Sequence, residues 1–173
     1  MDRTNADVVI RQAERADGDA IAEAHRDSIL ALGPAFYSAD DVNAWQEGLT
    51  GDMYLTAMEA GEVFFIATGM VDGTARVLGF ASDYPIEGTI HGTSVYVRGV
   101  AARRGIGRAL LERAEAHAAA CGATGIRIEA SLAGVEFYTA CGYAEVGRGT
   151  ARLRSGRTLA CVLMRKTIPA RDV

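Results

Sequence analysis

Val97-Arg98-Gly99-Val100-Ala101-Ala102-Arg103-Arg104-Gly105-Ile106-Gly107-Arg108-Ala109-Leu110-Leu111 joins two segments of opposite periodicity. Ahead of it, the β-branched run Thr89–Val97 reads as a strand. Behind it, Ile106, Leu110, Leu111, Ala114, Ala118 and Cys121 recur at helical spacing up to Gly122, which predicts a long helix closed by that glycine. The loop between them is rich in arginine and glycine. Such a loop aims backbone N–H groups at one point, where the helix N-terminus adds partial positive charge. With Arg98, Arg103, Arg104 and Arg108 around it, this is the local chemistry of a pyrophosphate site.

The elements outward from this stretch follow the same signals. Val8–Arg11 reads as a first strand, and Asp17 as the cap of a helix over Gly18–Leu32 stopped by Gly33-Pro34. Ser38-Ala39-Asp40-Asp41 opens a second helix through Gln46, with Val42 and Trp45 inward, and Met53–Ala60 reads as a third. Val63–Met70 and Arg76–Asp83 are strands around an Asp72-Gly73 hairpin turn. After the long helix come a strand at Gly125–Ala130, a short helix at Val135–Cys141 closed by Gly142, and a hairpin of Ala144–Leu153 with Arg157–Lys166. Strand, helix and strand around the opening stretch make a βαβ unit with parallel strands; the other connections are antiparallel. The expectation is one α/β domain with a mixed, mostly antiparallel sheet.

Composition sets the bounds. The 173 residues fit a single domain, 1–173 with its core at about 8–168, burying about 70% of the unfolded surface. Hydrophobic residues at 49% and charged residues at 23% are those of a globular protein. No apolar run approaches the ~20 residues of a membrane span, and Met1–Asp7 lacks the basic and apolar regions of a signal peptide. Cys121, Cys141 and Cys161 form no CxxC, so packing thiols and no metal are expected, in a reducing cytoplasm. The net charge is −4, but residues 1–97 carry 16 acids and 5 bases while residues 98–173 carry 6 acids and 13 bases. One reading is solvated faces; the other is a basic half for an anionic ligand and an acidic half for a cationic one. A pI near 5.4 argues against nucleic acid.

Two nucleotide fingerprints fail. A phosphate-binding loop ending Gly-Lys-Ser/Thr is absent, and the single lysine is Lys166. A dinucleotide fingerprint needs a third glycine where Leu110 stands. What remains resembles the acyl-CoA-binding motif of the GNAT N-acetyltransferase superfamily, Gln/Arg-x-x-Gly-x-Gly/Ala, carried here by Ala102-Arg103-Arg104-Gly105-Ile106-Gly107 with Ala102 at the first position. A second segment, Glu129 to Tyr143, resembles the family's strand–helix run with Phe137-Tyr138 and Gly142-Tyr143 at its end. The family's asparagine between strand and helix is Ala133 here.

The resemblance implies a single-domain GNAT fold in which helices flank a sheet whose central parallel pair is splayed. It implies acetyl transfer from acetyl-CoA to a primary amine by direct attack in a ternary complex. Arg103, Arg104, Gly105, Ile106, Gly107 and Arg108 would cradle the pyrophosphate. Val95, Tyr96, Val97 and Ser131 would line the pantetheine arm, with a backbone N–H near Val95–Val97 stabilising the oxyanion. Tyr138 matches the family's general acid; a phenol of pKa about 10 keeps its proton at neutral pH for a thiolate of pKa about 8.5. No acid stands at His91 or Thr93, where relatives carry one, so His91 is a candidate base, with Glu129 as another. In the family the first helices wall the acceptor, and Tyr37, Trp45 and Tyr54 with nearby carboxylates suit a cationic amine. Subunits of the family often pair through the C-terminal strands, which makes a homodimer possible. An acyl-CoA sensor without turnover is the alternative function, and thioester hydrolysis a third.

Overall fold

The computed structural model describes residues 7–169. Most of the N-terminal segment read above for a signal, Met1–Ala6, lies outside them. Seven strands, β1 (Val9–Gln12), β2 (Val63–Val71), β3 (Thr74–Glu87), β4 (Ile90–Val97), β5 (Gly125–Ser131), β6 (Ala144–Arg152) and β7 (Thr158–Thr167), form one sheet in the order β1-β2-β3-β4-β5-β7-β6. Five helices flank it: α1 (Gly18–Leu32), α2 (Ala39–Gln46), α3 (Gly51–Glu59), α4 (Ile106–Ala120) and α5 (Val135–Ala140). No described helix is long and apolar enough to cross a membrane.

Both faces of the sheet are covered, so its inner strands read as apolar runs rather than alternations. Phe64 and Ile66 of β2 pack with Phe80 against Ile21 and Ala24 of α1 and Tyr54 of α3. Phe65 and Ala67, pointing the other way, pack with Leu78 and Ala81 against Ile106, Leu110 and Ala114 of α4. The β5–β7 half closes its own core from Leu111, Ile126, Ile128, Tyr138, Val162 and Met164. The β2–β3 turn is made by Asp72 and Gly73 with φ of 47° and 76°, the left-handed pair that the Asp-Gly signal requires.

Among the described residues one strand pair is parallel, and it is short. Ile90, His91 and Gly92 of β4 face Gly125, Ile126 and Arg127 of β5, and no pairing between the two strands follows. Beyond Gly92, β4 continues along β3 as far as Val97, while β5 continues along β7 to Ser131. Each strand is held by its outer neighbour, so the two diverge and leave a wedge in the middle of the sheet. The splayed pair implied by the resemblance is present.

Three sequence expectations change in detail. Asp17 precedes α1 but does not cap it: its carboxylate accepts from the Glu14 N–H at 2.8 Å and pairs with Arg11, bracing the 3₁₀ turn Arg15–Asp17. Cys161 is buried as expected, but Cys121 is exposed. Arg98 is not part of the basic loop. Its guanidinium is buried, donates to the Val77 carbonyl at 2.6 Å and lies 3.1 Å from Glu23 and 3.4 Å from Asp27, which pins the β4 exit to α1.

Candidate active site

The wedge opens into a cleft of about 580 Å³ that runs from the α4 N-terminus, between β4 and β5, to α1 and α2. At one end Arg103 and Gly105 both take positive φ, 60° and 78°, and α4 starts at Ile106. This curls the loop so that the orphan N–H groups of the first helical turn face the cleft. Arg103, Gly105, Gly107 and Arg108 line that end. A Cβ on Gly107 would meet the Phe137 ring at 3.2 Å and Val97 Cγ2 at 3.4 Å, so glycine lets the helix pack against β4 and α5 without pressing the Phe137 ring aside. Arg108 also donates to the Ala140 carbonyl at 3.0 Å, joining α4 to the C-terminal end of α5.

In the middle of the wedge the Tyr138 hydroxyl accepts a hydrogen bond from the Val95 N–H at 3.0 Å. That N–H is available because β4 has lost β5 as a partner. The Arg98 N–H donates to Leu78 of β3, so by the alternation of the ladder Val97 N–H, like Val95 N–H, points into the gap. Tyr138 is buried, and burial, followed by the nearby Tyr96, pushes its pKa well above the usual phenol value; the Val95 N–H opposes the shift. The phenol therefore keeps its proton, and the Val95 bond leaves its O–H free to donate into the cleft.

The other end is walled by Ser28, Ile29 and Leu32 of α1, by Trp45 and by Tyr96. Trp45 meets Tyr37 edge-on at 5.6 Å and Tyr96 at 6.2 Å between centroids. Tyr37 fastens this wall to the far side of the wedge: its hydroxyl donates to the Ala160 carbonyl at 2.7 Å and accepts from the Leu132 N–H at 2.8 Å. Tyr54 does not join the wall; it is buried in the core and hydrogen-bonded to His25 Nδ1 at 2.7 Å. Burial, with a smaller contribution from Arg26, lowers the His25 pKa to about 3, so that ring is neutral.

Of the site residues expected from sequence, Val95, Tyr96, Val97, Arg103, Gly105, Gly107, Arg108, Ser131 and Tyr138 converge on this one cleft. Ile106 turns its side chain into the core, at 3% exposure, and meets the site only through its backbone. Neither Arg104 nor His91 is among the cleft-lining residues. His91 lies on the α4 face of the sheet, 7% exposed, with Nδ1 2.7 Å from Asp83 Oδ1; the second oxygen of the same carboxylate is 2.7 Å from His117 Nδ1. Strand parity turns His91 away from the acceptor end, where Ser94 and Tyr96 point. Glu129, the other candidate base, does line the cleft and is exposed there. Ser28, Ile29, Leu32 and Ser94 were not anticipated. Helical periodicity marks one face of α1 as buried, but not which of its residues meet a gap instead of a core.

A seven-stranded sheet forked at one parallel pair, with a glycine loop and helix N-terminus at the mouth of the fork, defines an acyltransferase-type architecture. The family model for acetyltransferases of the GNAT family matches residues 31–143, and the chain belongs to that family. A GCN5-related N-acetyltransferase from Rhodopseudomonas palustris superimposes with a TM-score of 0.78 at 26% identity, over 94% of this chain and 97% of that one. The protein yncA of Salmonella typhimurium, solved with its cofactor acetyl-CoA, gives 0.70 at 22% identity over 97% and 98% of the two chains. The ribosomal-protein-alanine N-acetyltransferase of Brucella melitensis gives 0.67 at 24% identity over 92% and 99%. A sequence comparison with curated proteins returned no match.

Proposed function

We propose that the chain transfers an acetyl group from acetyl-CoA to a primary amine, by direct attack of the amine in a ternary complex. The observation that carries this reading is the Tyr138 hydroxyl, held by Val95 N–H at the fork of β4 and β5, with a cationic N–H cradle on one side and an aromatic wall on the other. Arg103 and Arg108, with the backbone N–H groups of Gly105, Ile106 and Gly107, hold the pyrophosphate. Val95, Tyr96, Val97 and Ser131 line the pantetheine arm, and Val97 N–H receives the developing oxyanion. Tyr138 passes its proton to the departing thiolate. His91, bonded to Asp83 on the opposite face, orders β4 in this reading rather than deprotonating the amine.

The acceptor is a cationic amine of a small molecule or peptide. Glu129 offers a carboxylate at the cleft, and the faces of Trp45 and Tyr96 suit an ammonium group. Pairing of two copies through the β6 edge, and residence in a reducing cytoplasm, belong to the same reading.

The test is release of free CoA thiol from acetyl-CoA, with and without a broad panel of primary amines. Release that depends on amine supports transfer, and an anionic amine as the best acceptor overturns the cationic site. Release that ignores amine makes the protein a hydrolase. A second reading, an acyl-CoA sensor, is favoured by Ala102 and Ala133, which line the cleft without a polar side chain. Tight acetyl-CoA binding with no thiol release under any condition would establish it.

A further inference from the structure

An amine that enters as an ammonium must lose a proton before it attacks, and among the described residues no histidine lines the cleft. The acceptor face of the sheet offers a different path. Ser94 lines the cleft and lies directly opposite Ser82 across the β3–β4 ladder. The two hydroxyls are 3.0 Å apart, and Ser82 is fully buried, with 0% exposure. Ser82 faces Phe64 of β2, and two residues before Phe64 on the same face stands Glu62. The β2–β3 register pairs Val63 with Asp83 and Phe64 with Ser82, so Glu62 falls beside Tyr84 and diagonal to Ser82, on the side away from the cleft. Its carboxyl is half-buried and interacts with the Ser82 hydroxyl. Carboxyl, hydroxyl and hydroxyl thus run diagonally from the residue before β2, over β3, to β4 and end in the cleft.

We propose that Glu62 is the proton acceptor for the amine, acting through Ser82 and Ser94. This rests on the transferase reading above. The ammonium gives a proton to Ser94 Oγ as the Ser94 proton moves to Ser82 Oγ and the Ser82 proton to the Glu62 carboxylate. The neutral amine then attacks the thioester carbon; the C–N bond forms and the C–S bond breaks. The thiolate takes the Tyr138 proton, and the phenolate is restored by the surplus proton on the new amide nitrogen. Glu62 releases its proton to solvent, and the sum is amide plus CoA thiol.

The setting suits the task. Burial raises the Glu62 pKa above the ordinary carboxyl value, Ser82 opposes that, and the Asp83 carboxylate reinforces it. Ser82, Asp83 and Tyr84 from β3 and Tyr54 from α3 interact with Glu62. Glu14 and Arg15 of the 3₁₀ turn line the same surface hollow, and Arg15 is paired with Glu59 at 2.7 Å. A carboxylate that is not itself salt-bridged is a stronger base than one that is. Gly92 clears the way on this face: a Cβ there would overlap the Tyr84 ring, which lies across β4 beside the Ser94 position.

Ser94 touches the substrate in this scheme; Ser82 and Glu62 act through it. The experiment compares full-length wild type, Glu62→Gln, Glu62→Asp, Ser94→Ala and the Glu62→Gln/Ser94→Ala pair, using the best amine from the panel. Glu62→Gln should lower kcat/KM at pH 7 by ~10²-fold. That deficit should shrink towards unity as the pH approaches the pKa of the amine, where the proton is already gone. Acetyl-CoA affinity should not change, Glu62→Asp should recover part of the rate, and the double variant should lose no more than the worse single one. A deficit that is constant with pH, or additive losses in the pair, would overturn the relay and leave the transferase reading standing. Wild type that releases no thiol with any amine would overturn both. Should Glu62→Gln fail to fold, Ser94→Ala alone carries the same pH test.

Discussion

Tyr138 Oη and Val95 N are 3.0 Å apart, and this one hydrogen bond spans the gap in which two parallel strands have parted. The donor is a strand N–H with no strand to pair with, and the acceptor is a phenol brought by α5 from more than forty residues downstream. The bond fixes the phenol oxygen and aims its proton at the gap. Replacing Tyr138 by Phe should lower turnover by ~10²-fold. Acetyl-CoA affinity, measured by calorimetry, should stay within a few-fold of wild type. Unchanged turnover across the pH range would remove Tyr138 from the acid role.

Gly105 and Gly107 should fail for different reasons. Gly105 has φ of 78° and no atom within 4 Å of its missing Cβ, so Gly105→Ala costs backbone strain of about 1 kcal/mol and weakens the cradle for phosphate. Gly107→Val pushes a branched side chain into Phe137 and Val97 and forces α4 off the wedge. Acetyl-CoA affinity should fall in both, with a larger drop in melting temperature for Gly107→Val. Calorimetry and thermal denaturation read the two effects separately.

Asp83 bridges His91 and His117 from a position of 3% exposure, with 2.7 Å to each ring. Asparagine in its place can accept with only one of its two polar atoms and turns an N–H₂ group towards the other ring. Asp83→Asn should therefore destabilise the fold by about 2 kcal/mol. Denaturant melts at neutral pH would show it, and a loss below 0.5 kcal/mol would mean the pair of bonds is not formed.

His25 gives the fold a pH signature. Its folded pKa is lowered from 6.5 to about 3 by burial, so below pH 6.5 the unfolded chain takes up a proton that the folded chain refuses. Stability is unaffected above that value and falls by about 1.4 kcal/mol per pH unit below it, flattening near pH 3. The comparison is the slope of stability against pH from 7 to 5, for wild type and His25→Gln. Carboxylates contribute to both proteins; the part due to His25 should vanish in the variant. Identical slopes would mean that the ring is accessible to protons in the folded state.

Some local signals in the sequence hold because local physics alone sets the outcome. Asp72-Gly73 forces a left-handed turn whatever surrounds it, and Ser38 caps α2 by accepting from the Asp41 N–H at 3.1 Å. The positions of Arg98 and His91 depend on partners far away in the chain. Arg98 sits five residues from Arg103 and looks like a member of the same basic loop, but Glu23 and Asp27 on α1 claim it. His91 has the right residue type on the right strand, yet strand parity gives it to Asp83 on the α4 side. Glu62 has no sequence signal at all, since only the β2–β3 register puts it beside Ser82.

The stretch from Val97 to Leu111 by itself determined a strand, an N–H-rich turn and a helix, because Gly105 and the apolar spacing of α4 act over a few residues. Together with Phe137-Tyr138 it determined the family. The tertiary structure decided which groups meet. β4 is held by β3 and β5 by β7, so the two strands part after Gly92, and the unpaired Val95 N–H, the Tyr138 phenol, Ser94 and the α1 wall come to face one cleft. That convergence follows from long-range pairing and register, which no local pattern of residues encodes.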